Sequence, residues 1–321
     1  MVKMTPRSLF LWIVFAAWIL STSPPALASV IHDYVALGDS MAFGETNFTA
    51  NPSDGDRGYV SLYATSLASS NGGVRPHVIN LAADGETSST FFNGSTQHDG
   101  SPGNPASQWN LNYPSSAPTQ NSLLLSTIAS EKAAGHVISN VSVQLGANDL
   151  LGPVTSPSFL ALTPAQQQAA IGQVLTGIQA HDTTLLTELK TLLPNASLVM
   201  LGYHNPFNAD PTSAIGKIAD PAVKALNALI AGEAAAFGAR YVDTYTPFLG
   251  HELAYTYIAS GNVHPNATGY AVIASQLETV PEPSTFLVVG AGLVGWLVLG
   301  RRLRSAGPRS PASKKSGLLS P

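Results

Sequence analysis

Between residues 29 and 280, five short β-branched runs alternate with longer stretches of helix-forming residues. That rhythm suits a parallel sheet covered by helices on both faces, because parallel strands need long crossover connections that pack back on the sheet. Strands are expected at residues 34–37, 77–81, 138–145, 198–202 and 240–242, and helices at 58–69, 122–134, 164–193, 221–238 and 267–277. Pro164 and Pro221 are expected near helix starts, where a missing N–H costs nothing. No internal repeat interrupts the pattern, so one α/β domain should span 29–280.

The charge distribution narrows the partners. Of the fifteen basic residues, six crowd into the last 21 positions, and residues 29–280 hold seven basic against eighteen acidic side chains, a formal charge of −11. Such a body repels phosphate backbones, which argues against nucleic acid. The chain has no cysteine, which excludes thiolate catalysis, zinc–thiolate sites and disulfides.

Both ends read as addresses. Lys3 and Arg7 precede an apolar run at 9–20, followed by Pro24, Pro25 and Ala26-Leu27-Ala28, the pattern of a secretory signal peptide cleaved after Ala28, with an uncleaved anchor as the alternative. At the other end Pro281-Glu282-Pro283 precedes an uncharged stretch to Gly300 and then Arg301-Arg302-Leu303-Arg304. Positions 283–300 are uncharged, a length that just crosses a bilayer core of about 30 Å as a transmembrane helix, with the arginines held on the cytoplasmic side. The Pro-Glu-Pro box, apolar segment and arginine cluster at 281–304 resemble a PEP-CTERM sorting signal of Gram-negative bacteria. That resemblance implies an exosortase as processing partner and a protein that is anchored at the cell surface or released there. A plain C-terminal membrane anchor is the alternative. Residues 305–321 form a basic Ser/Pro/Lys-rich tail expected to be disordered, an addition that such signals usually lack.

In an open parallel sheet, ligands bind beyond the carboxyl ends of the strands, so polar residues just past those ends are the ones to inspect. The first strand runs into Gly38-Asp39-Ser40, the second into Asn80-Leu81-Ala82-Ala83-Asp84-Gly85 and the third into Gly146-Ala147-Asn148-Asp149, while His264-Pro265-Asn266 opens the last helix. Each alone has a structural explanation: a helix cap at Asp39 and Ser40, a turn at Gly85, an Asx-turn at Asn148-Asp149. Their order is harder to explain that way. G-D-S, N-x-A-x-x-G, G-x-N-D and H-P-N in succession resemble the SGNH (GDSL-type) serine ester hydrolases over nearly all of residues 31–276.

The resemblance implies a three-layer α/β/α sandwich around about five parallel strands. It also implies that Ser40 is the nucleophile, His264 the general base, and Ser40, Gly85 and Asn148 the donors of an oxyanion hole. The chemistry is coherent: a serine hydroxyl needs a base near neutral pKa, and the oxyanion needs donors already aimed at it. Asp39 and Asp149 are expected to hold the loops that present their neighbours.

One departure from the family pattern matters. The family has D-x-x-H, yet position 261 is Gly, so something else must orient the His264 imidazole. The carbonyls of Ser260 or Gly261, the Asn262 side chain and Asp243 are the candidates, and a Ser40–His264 dyad is the working expectation. The substrate is expected to be an ester of an acylated or acetylated carbohydrate, or of a lipid. A non-catalytic surface or matrix protein that retains the hydrolase fold is the competing reading. No cluster of histidines and carboxylates at metal-ligand spacing is evident, so neither metal nor cofactor is expected. The polar stretch 86–118, with Phe91, Phe92, Trp109 and Tyr113, reads either as a wall of the substrate cleft or as ordinary loop packing.

Overall fold

The computed structural model of the chain describes residues 30–45, 57–94 and 119–278. Five strands, β1 (His32–Gly38), β2 (His77–Asn80), β3 (Val137–Gln144), β4 (Ser197–Leu201) and β5 (Arg240–Val242), pair in parallel in the order β2-β1-β3-β4-β5. The helices are α1 (Ser40–Phe43), α2 (Gly58–Leu67), α3 (Thr90–Asn93), α4 (Gln120–Ala134), α5 (Ala147–Thr155), α6 (Pro157–Leu160), α7 (Pro164–Leu192), α8 (Ala214–Ala236), α9 (Glu252–Tyr255) and α10 (Ala267–Glu278).

Right-handed crossovers explain the layers. The chain leaves β1 towards β2 on one side and returns past β1 to β3, so α2 and the last helix α10 share one face, where they pack together. Helices α7 and α8 pack on each other as part of the opposite layer. Because both faces are covered, strand residues are buried without alternation: Tyr34, Val35, Ala36 and Leu37 are all fully inaccessible. The order reverses between β1 and β3, and that switch point opens a crevice at the strand ends.

Local signals set the helix starts. Thr119 and Ser122 form a reciprocal capping box on α4, and Thr163 and Gln166 do the same on α7, with Pro164 at its first turn. The expected helix at 221–238 instead begins at Ala214, capped by the Ser213 hydroxyl, and carries Pro221 inside it. Burial of Gly216 and Ala219 extends the packed face N-terminally and outweighs the hydrogen bond that the proline removes. Phe91 lies in the hydrophobic core, so that part of the 86–118 stretch is packing rather than cleft wall. Trp109 and Tyr113 lie outside the described residues, as do the expected signal peptide, sorting segment and basic tail. Among the described residues no helix is long and apolar enough to cross a membrane.

Candidate active site

Ser40 is the first residue of α1, immediately past β1. Its position depends on Gly38, whose φ of +140° brings the strand end so close to β3 that a Cβ would sit 2.1 Å from the Gln144 carbonyl oxygen. Gln120 clamps the same residue, accepting the Gly38 N–H at 2.8 Å and donating to its carbonyl at 2.9 Å. Asp39 then caps α1: one carboxylate oxygen accepts the Met41 N–H at 2.9 Å and the other accepts the Tyr203 hydroxyl at 2.7 Å. Burial pushes the Asp39 carboxyl up to about 7, although both hydrogen bonds favour its charged form.

His264 precedes α10 and is buried, with its Nε2 2.8 Å from the Ser40 Oγ. Its Nδ1 lies 2.7 Å from the Asn262 Oδ1, and that oxygen also accepts the His264 backbone N–H at 2.9 Å. A backbone N–H can only donate, so the atom facing it must be the amide oxygen, and Nδ1 must then carry the ring proton. In that tautomer Nε2 presents its lone pair to the serine hydroxyl. Burial lowers the His264 pKa to about 4, so the imidazole is neutral at physiological pH.

Asn148 is the second residue of α5, and its Nδ2 donates to the Glu86 carbonyl at 2.9 Å, leaving the second amide N–H for other use. Asp149 ties the neighbouring loop down by accepting the Ser88 N–H at 2.8 Å and its hydroxyl at 2.7 Å. Gly85 follows β2 with φ +74°, a conformation that favours glycine. Its N–H faces the Asp84 carboxyl, whose pKa burial raises and that N–H lowers.

Ser40, Asn148 and His264 line one cavity of about 680 Å³, open mouth included. Its remaining wall is largely apolar, with Leu150, Leu151, Val154, Phe207, Val223 and Leu226. Gly85 and Asp243 do not line it. Asp243 spends one carboxylate oxygen on the Tyr245 and Thr246 N–H groups, at 2.8 and 3.2 Å, and so braces the 3-10 turn Thr246–Phe248.

The sequence matches the profile of the GDSL-like lipase/acylhydrolase family over residues 36–272, and that of the PEP-CTERM protein-sorting motif over 279–304. The chain belongs to the GDSL-like lipase/acylhydrolase family. Membership implies carboxylic ester hydrolysis, and the sorting motif implies export to the cell surface and processing by an exosortase. Among solved structures, it resembles the lipase Lip_vut3 from a goat rumen metagenome at 18% identity and a TM-score of 0.53, over 77% of this chain and 95% of that one. It also resembles the extracellular lipase of Streptomyces rimosus at 20% identity and a TM-score of 0.50, over 78% of this chain and all of that one. These likenesses establish the shared fold. No curated protein sequence matches the chain.

Two residues of this GDSL-like site escaped the sequence reading. His204 lies just past β4, lines the cavity, stacks on Phe248 at 4.4 Å and contacts the Val263 carbonyl through Nε2 at 3.2 Å. It thereby braces the residue before His264. Its place beyond a strand end was the available signal. Gln120, the clamp on Gly38, carried none, because it starts a helix remote in sequence.

Proposed function

We propose that this protein is a serine carboxylic ester hydrolase in which Ser40 attacks the ester carbonyl and His264 takes its proton. The observation that carries the proposal is the 2.8 Å contact between Ser40 Oγ and His264 Nε2 at the wall of an apolar cavity. His264 is neutral and in the accepting tautomer, so it removes the hydroxyl proton as the tetrahedral intermediate forms and returns it to the leaving alcohol. Asn262 orients the ring through Nδ1 and disperses part of the imidazolium charge, in place of the carboxylate that position 261 lacks. The Ser40 N–H and the Asn148 amide receive the oxyanion, and Gly85 joins them when its N–H turns from Asp84.

The cavity wall supports the finer reading of the substrate. The wall carries leucine, valine and phenylalanine, against which a hydrocarbon chain gains about 0.8 kcal/mol for each CH₂ buried. The preferred ester therefore carries an acyl chain longer than acetyl, which favours a lipid-like substrate over an acetylated carbohydrate. A fluorophosphonate probe tests the chemistry: it labels the wild-type chain and fails to label Ser40→Ala. If the folded wild-type chain stays unlabelled, the protein is a non-catalytic relative and the proposal is wrong.

A further inference from the structure

The opposite edge of the sheet carries a second cluster of chemistry-bearing side chains. Asp33 sits near the start of β1, roughly 16 Å of strand before Gly38, and so lies far from Ser40. Asp33 pairs in register with His77 on β2 and with Ile138 on β3. His136 enters β3 from the end of α4, and Glu131 sits on that helix's last turns. Residue spacing shows no metal-ligand pattern here, but the fold brings one ligand atom from each of Asp33, Glu131 and His136 within 4.8 Å of one another.

We propose that Asp33, Glu131 and His136 form a divalent-metal site of the zinc type, which pins β1, β3 and α4 together at the N-terminal edge of the sheet. The second observation is Asp33 itself. Its side chain is completely buried, and among the described residues its Oδ2 has no hydrogen-bond partner while facing the His136 Nδ1 at 3.6 Å. A buried, half-satisfied carboxylate costs stability unless a positive charge completes it. Burial, with repulsion from Glu131 added, pushes its pKa up against the opposing effect of His77 and His136.

The spacing fits a small ion. Tetrahedral zinc with ligands at about 2.0–2.2 Å holds them roughly 3.4 Å apart. The Asp33–His136 separation is already of that size, and the His136 Nδ1 to Glu131 Oε2 contact of 2.5 Å must open by about 1 Å as the ion displaces the proton between them. The fourth position falls to water or to His77, whose exposed ring contacts the Asp33 Oδ1 at 3.2 Å. Imidazole beside carboxylate selects zinc or a similar transition metal over calcium or magnesium, which favour all-oxygen sets. In a chain without cysteine, such a pin takes the place a disulfide would hold.

The test uses the full-length chain in detergent, stripped with EDTA and dialysed against zinc chloride. The expected result is one zinc retained per chain, with Tm raised by about 5 °C or more. Glu131→Gln, a partly exposed helix position that should fold, and His136→Ala are each expected to lose the zinc and the Tm shift while keeping wild-type ester hydrolysis. Calcium is expected to produce no shift. Failure to retain zinc, or equal retention by both variants, would overturn the proposal and leave His136 as a polar contact between two carboxylates. A calcium shift as large as the zinc shift would overturn the assignment of the metal class.

Discussion

The Asn262 Oδ1 accepts both the Nδ1–H and the backbone N–H of His264, at 2.7 and 2.9 Å, so the residue two positions before the imidazole fixes its tautomer and its orientation together. A neutral amide supplies no charge to stabilise imidazolium. Burial disfavours the imidazolium, and the His264 pKa falls to about 4.

A base whose pKa is lowered stays unprotonated further into acid, so the ascending limb of kcat/KM should lie well below 6.5, near 4 to 5. Asn262→Asp places a carboxylate on Nδ1 and should move that limb up by at least about one unit. Asn262→Ala should reduce kcat by about 10²-fold through loss of ring orientation. A limb that stays put in Asn262→Asp would show that Asn262 does not govern the ring. Gly261→Asp should not raise activity, because Nδ1 is already occupied and the φ of +80° at that position disfavours any side chain.

Asp243 should be dispensable for chemistry. Its carboxylate caps a turn, a task that an asparagine oxygen can perform, so Asp243→Asn should cost about 1 kcal/mol of stability or less. Turnover should stay near wild type in a p-nitrophenyl ester assay. A loss on the order of 10⁴ in kcat would instead mark it as the carboxylate behind His264.

Chain-length preference should respond to the cavity wall. Val223 is half-buried and lines the cavity from α8, so Val223→Phe should fill part of the acyl space. The ratio of kcat/KM for octanoate over acetate esters should fall by about tenfold, the scale of one or two lost methylene contacts. Equal losses for both esters would place the acyl chain elsewhere.

Gly38→Ala tests how strictly the serine is positioned. The new methyl would meet the Gln144 carbonyl at 2.1 Å in a backbone conformation with φ +140°. The variant should lose about 3 kcal/mol in chemical denaturation. A change under about 0.5 kcal/mol would show that the strand end relaxes freely.

Much of the architecture was legible in the linear pattern. The run from Arg240 to Val242 is a strand as expected, the other four strands lie within a few residues of their expected bounds, and α7 starts at Pro164 as its proline indicates. These features are local: β-branched content, capping residues and helix-forming stretches act within a few positions of where they appear. The start of α8 was missed because its first turns are selected by burial of Gly216 and Ala219, which no local signal outweighing Pro221 announces.

The residues of the site divide in the same way. Sequence by itself determined which residue types stand beyond the strand ends and before the last helix, with Ser40 past β1, Asn148 past β3 and His264 ahead of α10. Only the tertiary structure decided between Asn262 and Asp243 as the contact on Nδ1, since one carboxylate oxygen of Asp243 is held by two backbone amides. It alone also brought Asp33 to Glu131 and His136 across about a hundred residues of chain, because parallel pairing aligns the starts of strands as surely as their ends.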